Sequence, residues 1–396
     1  MSSTENVIEY TQKDLPPIFG KFGFGLFGIG LLLSILAYLS DPVRSAFNNI
    51  VLLEFLSSVG IGSLFLIALE YIVGAVWSAP FRRIFEIISS VLLILPLVAI
   101  PVYLHAHDVF HWTHLEAVAT DEILQGKSPY LNMTFFTIRI IAYFAIWILF
   151  HLLLTKNSKA QDITKDPKLT KRNTTISAIF LPLFVLTLTF SSIDWMMSLE
   201  PHWFSTIFSV YYFAGTFLAA IAVGTFLVVW LNEKGLMVNG IGKDHYYSLG
   251  ALLFGFINFW AYIAFSQFLL IWYTNLPEET YWFLARWEGS WMYFSIFLIL
   301  IHFVIPYFAL LSQPSKMNPK TLKIMSLVII FAHIVDLYWI VMPTFSRDSF
   351  VFGWIEIGFI LLGIGIIMVV FNLKAKNQNL VAIGDPRLKR GINFRL

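Results

Sequence analysis

The sequence predicts an all-α polytopic membrane protein of ten transmembrane helices, arranged as two parallel four-helix bundles plus two flanking helices. Three observations carry this. Hydrophobic residues make up 58% of the 396 residues and charged residues only 13%, a balance that no soluble fold of this size can cover with polar surface. The apolar residues fall into ten runs, at 18–38, 50–75, 84–105, 133–154, 174–193, 206–231, 246–272, 287–311, 321–342 and 350–372, each long enough to cross a hydrocarbon core of about 30 Å as a helix. When the 26 Lys and Arg are assigned to alternating sides, 21 fall on one side, four (Arg44, Lys127, Arg286, Arg347) on the other, and Arg139 lies inside a span. The positive-inside rule makes the basic side cytoplasmic and places both termini there.

The first twelve residues, MSSTENVIEYTQ, lack the basic start and small-residue cleavage site of a secretory signal, so span 1 is expected to direct insertion. There is no cysteine, which excludes thiolate-bound iron–sulfur clusters, covalently attached c-type haem and disulfides on this chain. Any redox metal belongs to a partner.

Taken in order, span 1 is rich in glycine (Gly20, Gly23, Gly25, Gly28, Gly30), which suits close approach of another helix. Span 2 carries Glu54, expected near its outer end, and Glu70 nearer the cytoplasm. A carboxylate at membrane depth is costly unless paired, protonated or wetted, so both are proton-relay candidates. Span 3 contains Pro96 and Pro101, expected to kink its outer end, and leads into HAHDVFHWTHLE. There His107, His111 and His114 recur at helical spacings as a weak metal-ligand candidate, against the plainer reading of a polar docking loop.

Arg139 in span 4 calls for a carboxylate or quinone-like acceptor on a neighbouring helix. The basic stretch from Lys156 to Arg172 reads as the longest cytoplasmic linker, touching anionic lipid headgroups. Span 5 leaves through SSIDWMMSLEPHWFSTIF, which concentrates Asp194, Trp195, Glu200, His202 and Trp203 at the outer edge. Span 8 places His302 in its inner half, before Pro306. In span 9, His333 and Asp336 share a helix face at i, i+3 and form the strongest proton-handling pair in the chain. Span 10 has Glu356 near the outer surface and Gly358, Gly363 and Gly365 as packing positions. The basic tail 373–396 reads as a cytoplasmic docking arm.

Asp194 to Pro201 and Asp336 to Pro343 have equal separation and exit on the same side four spans apart. That spacing predicts a parallel repeat, spans 2–5 (50–193) and 6–9 (206–342), with spans 1 and 10 flanking.

The run SSIDWMMSLEPHWFSTIFSVYYFAG, together with YLNMTFFTIR in span 4 and the ten-span layout, resembles the smaller of the two NrfD-like (polysulfide-reductase-type) membrane subunits of bacterial alternative complex III. The resemblance covers nearly the whole chain. Its motif falls on Asp194, Trp195, Ser198, Pro201, Trp203, Ser205 and Thr206, and in span 4 on Tyr130, Asn132 and Arg139. It implies a bacterial inner-membrane subunit of a quinol:cytochrome c (high-potential acceptor) oxidoreductase that has no redox centre of its own. Expected neighbours are a larger NrfD-like paralogue, periplasmic iron–sulfur and multihaem cytochrome c subunits and a terminal oxidase, with membrane lipid around them and no nucleic acid. A proton path or an accessory quinone site is the expected contribution. Where the larger paralogue has a histidine after the motif's tryptophan, this chain has Phe204, which argues against quinol deprotonation at this edge.

The residues by themselves also fit a stand-alone secondary transporter or a structural scaffold. Against the transporter, no helix is expected to be broken at a midplane site.

Overall fold

A computed structural model describes residues 10, 14–376 and 378–396; the dozen N-terminal residues other than Tyr10, and Lys13, read above for targeting and charge, lie outside the described residues. Ten helices are long and apolar enough to cross a membrane: spans 1 to 10 are Pro17–Ser40, Pro42–Val73, Arg82–Leu104, Met133–Thr164, Lys168–Leu199, Phe208–Glu233, Lys243–Thr274, Trp291–Leu310, Pro319–Phe345 and Trp354–Ala375. The protein is an all-α, multi-pass membrane protein. Ten crossings return the chain to the side from which it started, here called the terminal side.

Several boundaries differ from expectation. Span 2 starts at Pro42, where Asp41 caps it by accepting from the Arg44 amide, so Glu54 lies well inside the helix and not near its end. Spans 4 and 5 absorb almost all of the supposed linker from Lys156 to Arg172, leaving a turn around Lys165, which is left-handed (φ 56°). Hydropathy reports solvation and so marks this polar run as a loop, whereas NSKAQDIT contains few helix breakers.

Proline breaks span 3 elsewhere than expected. Its middle, Ser89–Leu93, is a 3-10 segment ending just before Pro96, whose ring displaces the carbonyl of Leu92 one turn earlier. Span 8 is also interrupted: Leu300–Val304 is a π-turn. Pro306 cannot donate to the carbonyl of His302, four residues back, and the extra residue of the π-turn accommodates this. Both spans nevertheless run through these turns as single helices.

Spans 2 and 6 form the centre. Span 2 packs on spans 3, 5, 6, 9 and 10, and span 6 on spans 2, 5, 7 and 9. Gly62 lets them approach, since a Cβ there would press on the Thr216 carbonyl and the Ala220 side chain. The two sets of four helices thus share one core. Spans 1 and 10 form a close antiparallel pair at the edge: a Cβ on Gly30 would run into the Leu362 backbone, and one on Gly365 into that of Phe27.

The tail is not a free arm. Leu380, Val381, Leu388 and Gly391 are buried, and Gly384 lies against the Gln161 carbonyl with no room for a side chain. Asp385 is clasped by Arg82 (2.5 Å) and Arg387 (3.0 Å), and Arg387 also donates to the Glu70 carbonyl at 3.2 Å. Burial raises the pKa of Asp385, but the two guanidiniums override it and hold the group well below the usual carboxylate range. Its contribution to stability is then present above the ordinary carboxylate pKa and persists in mild acid. Asp385→Asn, which leaves Arg82 buried without this partner, should cost on the order of 3 kcal/mol and expose the tail to limited proteolysis; an unchanged cleavage pattern and melting temperature would show that the latch contributes nothing.

Candidate functional site

Ion pairing sorts the buried carboxylates. Glu356 receives both Arg44 Nε (2.8 Å) and Nη2 (2.7 Å), with Asn48 and the Gly353 amide completing its shell. Glu86 meets Arg82 and Arg83. Asp194 takes a bidentate fork from Arg139 at 2.8 and 2.9 Å plus the Tyr143 hydroxyl at 2.6 Å, while Arg139 also donates to the Tyr130 carbonyl and lies under its ring. The acceptor that Arg139 required is therefore Asp194. Both carboxylate oxygens are occupied, and Asp194 is fully buried.

Glu54, Glu70 and Asp336 have no ion-pair partner within contact distance among the described residues. Glu70 is buried with both side-chain oxygens unpartnered, and Glu54 has one unpartnered oxygen. Beside Glu54, the Tyr212 hydroxyl donates to its carbonyl, and Ser58 joins Tyr212 (3.3 Å) to Thr216 (3.2 Å). This polar bridge crosses the span 2–span 6 contact.

Asp336 is the centre of the largest polar group. It accepts from the hydroxyl of Tyr211 in span 6 and from Nε1 of Trp260 in span 7 at 3.1 Å. His333, expected on the same helix face, lies beside it without a hydrogen bond to it, both ring nitrogens unpartnered. His302 comes in from the π-turn of span 8, its ring stacked on Trp260 at 3.9 Å and both nitrogens likewise unpartnered. One ligand-type atom from each of His302, His333 and Asp336 lies within 4.8 Å of the others. His302, expected apart on the inner side, thus belongs at the same depth as the span 9 pair. Gly215 in span 6 leaves this space open: a Cβ there would sit 3.0 Å from the His333 ring and 3.6 Å from Asp336 Oδ2.

Tyr211, Gly215 and Trp260 were missed, because an aromatic or glycine within an apolar run reads as packing.

A line of polar groups leads to the side opposite the termini. The Arg286 guanidinium is buried, donates to the carbonyls of Trp282, Trp339 and Ile340, and lies within electrostatic reach of Glu200 and Tyr211. Burial pulls its pKa down to about 10, against the pull of Glu200, so it stays charged at neutral pH. Glu200 lies 3.7 Å from it and accepts from Thr344. Trp203 stacks on Trp282 at 4.4 Å, and Trp195 is buried against Phe136. His202 meets Asp121 at 2.5 Å; that hydrogen bond holds Asp121 below the usual carboxylate range.

The loop histidines do not converge. His107 bonds Thr113, His114 bonds the His107 carbonyl at 2.7 Å, and those two rings stack at 4.0 Å with His111 farther off.

Arg139→Gln should destabilise the protein by on the order of 3 kcal/mol by stranding Asp194, and the apolar double replacement Arg139→Met with Asp194→Leu should recover most of it. Thermal unfolding in detergent reads both; equal losses would mean that the pair is not a unit. No family model matches the chain, and no curated protein matches it.

Proposed function

We propose that the chain is a membrane subunit, itself without redox centres, of a quinol:cytochrome c (high-potential acceptor) oxidoreductase of the alternative complex III type in the bacterial cytoplasmic membrane, and that it contributes a proton pathway. The observation that carries the reading is Asp336: a carboxylate buried without a cation, held by two neutral donors and flanked by two imidazoles whose four nitrogens have no fixed partner. A buried anion is expensive, and its cost is met when it or a neighbouring imidazole takes up a proton. The NrfD-like motif, the absence of cysteine and the basic terminal side support the remainder, with both termini cytoplasmic.

In this reading the imidazoles of His302 and His333 pass a proton by accepting on one nitrogen and releasing from the other. Asp336 holds the proton between them, and Tyr211 hands it toward the periplasmic line of Arg286 and Glu200. Glu70 is the inner acceptor, and Glu54, in the outer half of span 2 beside Tyr212, lies near the level of the Asp336 group. The two glutamates lie sixteen residues apart on one helix, about 24 Å, so water or side-chain motion must connect them.

The residues considered for a quinone do not fit one. Both oxygens of Asp194 are bonded, Trp195 and Trp203 are buried in ring contacts, and His202 is tied to Asp121. The quinol site is accordingly assigned to the larger NrfD-like paralogue, and haem and iron–sulfur clusters to the periplasmic subunits. Spans 3 and 8, the interrupted ones, are not equivalent positions in the two halves, so the breaks do not favour a stand-alone transporter.

Asp336→Asn should lower the protons translocated per electron in reconstituted vesicles while the complex still assembles with its haem. Undiminished stoichiometry would remove the relay, and a colourless single chain eluting in mild detergent would favour the transporter.

A further inference from the structure

We propose that His302, His333 and Asp336 form a binding site for a zinc-like first-row divalent cation. Three independent features of the structure point to it. The ligand atoms already converge within 4.8 Å of one another; in a tetrahedral zinc site with bonds of about 2.0–2.1 Å they would stand about 3.4 Å apart, so side-chain rotation of about an ångström closes the set. Each imidazole is 1% exposed and has no hydrogen-bond partner on either nitrogen, a rare condition for buried polar atoms. The surrounding shell is built to orient ligands: Tyr211 and Trp260 fix the Asp336 carboxylate from two other helices, Trp260 sets the plane of His302, and Gly215 keeps clear the volume that a Cβ would fill.

The donor set selects the metal class. Two imidazoles and one carboxylate suit Zn2+ and its borderline neighbours, whereas Mg2+ and Ca2+ require more oxygen ligands than the cluster offers. Two neutral histidines and one carboxylate leave a bound Zn2+ with net charge +1. A hydroxide in the open fourth position, which zinc stabilises near neutral pH, brings the centre to neutrality. The nearby cation, Arg286, is engaged elsewhere, by three carbonyls and Glu200. While the cation is bound these groups cannot pass a proton, so occupancy would block the proposed relay; the inference does not rest on that relay, since its readout is bound metal.

The test uses the full-length chain isolated in mild detergent with whatever stays bound to it, stripped with a chelator, re-equilibrated with Zn2+ and desalted. The expected result is one additional zinc per chain by elemental analysis, with a zinc X-ray absorption spectrum fitted by two imidazoles and oxygen. His302→Gln and His333→Gln should each weaken retention about 100-fold or more, and the triple change His107→Gln, His111→Gln, His114→Gln should leave it unchanged. Folded wild-type protein that retains no additional zinc would overturn the proposal, as would loss of zinc in the loop triple variant alone. If the buried variants fail to fold, the wild-type spectrum still decides, because an oxygen-only or thioether environment is incompatible with this cluster.

Discussion

A charge taken into an apolar core must be met by another charge, by donors or by a proton, and this fold answers that demand in two different ways. At its ends, guanidiniums do it: Arg44 for Glu356, Arg139 for Asp194, and Arg82, Arg83 and Arg387 for Glu86 and Asp385. These pairs lock elements together. They join span 2 to span 10, span 4 to span 5, and the tail to the terminal ends of spans 2 and 3. Inside, Glu54 and Asp336 have no such partner, and the hydroxyls, indole and imidazoles around them are groups that can change protonation or ligation at little structural cost; Glu70, near the terminal end of span 2, makes no ion pair but lies within electrostatic reach of Arg82 and Arg387.

The comparison of Asp194 with Asp336 makes the contrast concrete. Both stand seven residues before a proline, but Asp194 lies at the end of its helix and Asp336 within span 9; span 5 packs on span 2 and span 9 on span 6. Asp194 receives a fork from Arg139 and is fixed. Asp336 receives Tyr211 and Trp260, neither of which carries charge, and stands among unpartnered histidines. One half of the molecule has made its aspartate into a brace, and the other has left it available. The interruption in span 8 serves the same end, because the π-turn before Pro306 is where His302 leaves the helix toward Asp336.

Much of the candidate site was legible in the residues. His333 and Asp336 were brought together by spacing alone, since i, i+3 places them on one face whatever surrounds the helix. The requirement of Arg139 for an acid was legible too, because a guanidinium inside a span has few other solutions. Its identity as Asp194 was not, as that depends on how far spans 4 and 5 slide past each other. His302 was not grouped with His333 and Asp336, because which face of span 8 meets span 9 is a matter of helix packing. Tyr211 and Trp260 left no trace, because nothing in an aromatic's neighbours along the chain says whether its polar tip has a partner.

What the sequence determined by itself is therefore the number of helices, the sides on which their connections fall and the cost of each charge within them, because hydropathy and charge act on every residue independently of its neighbours in space. Which charges are cancelled was decided by tertiary structure alone. Helix register, the proline-induced irregularities of spans 3 and 8, and the return of the tail onto Arg82 fix distances between residues far apart in the chain, and only those distances separate a carboxylate held in an ion pair from one left open at Asp336.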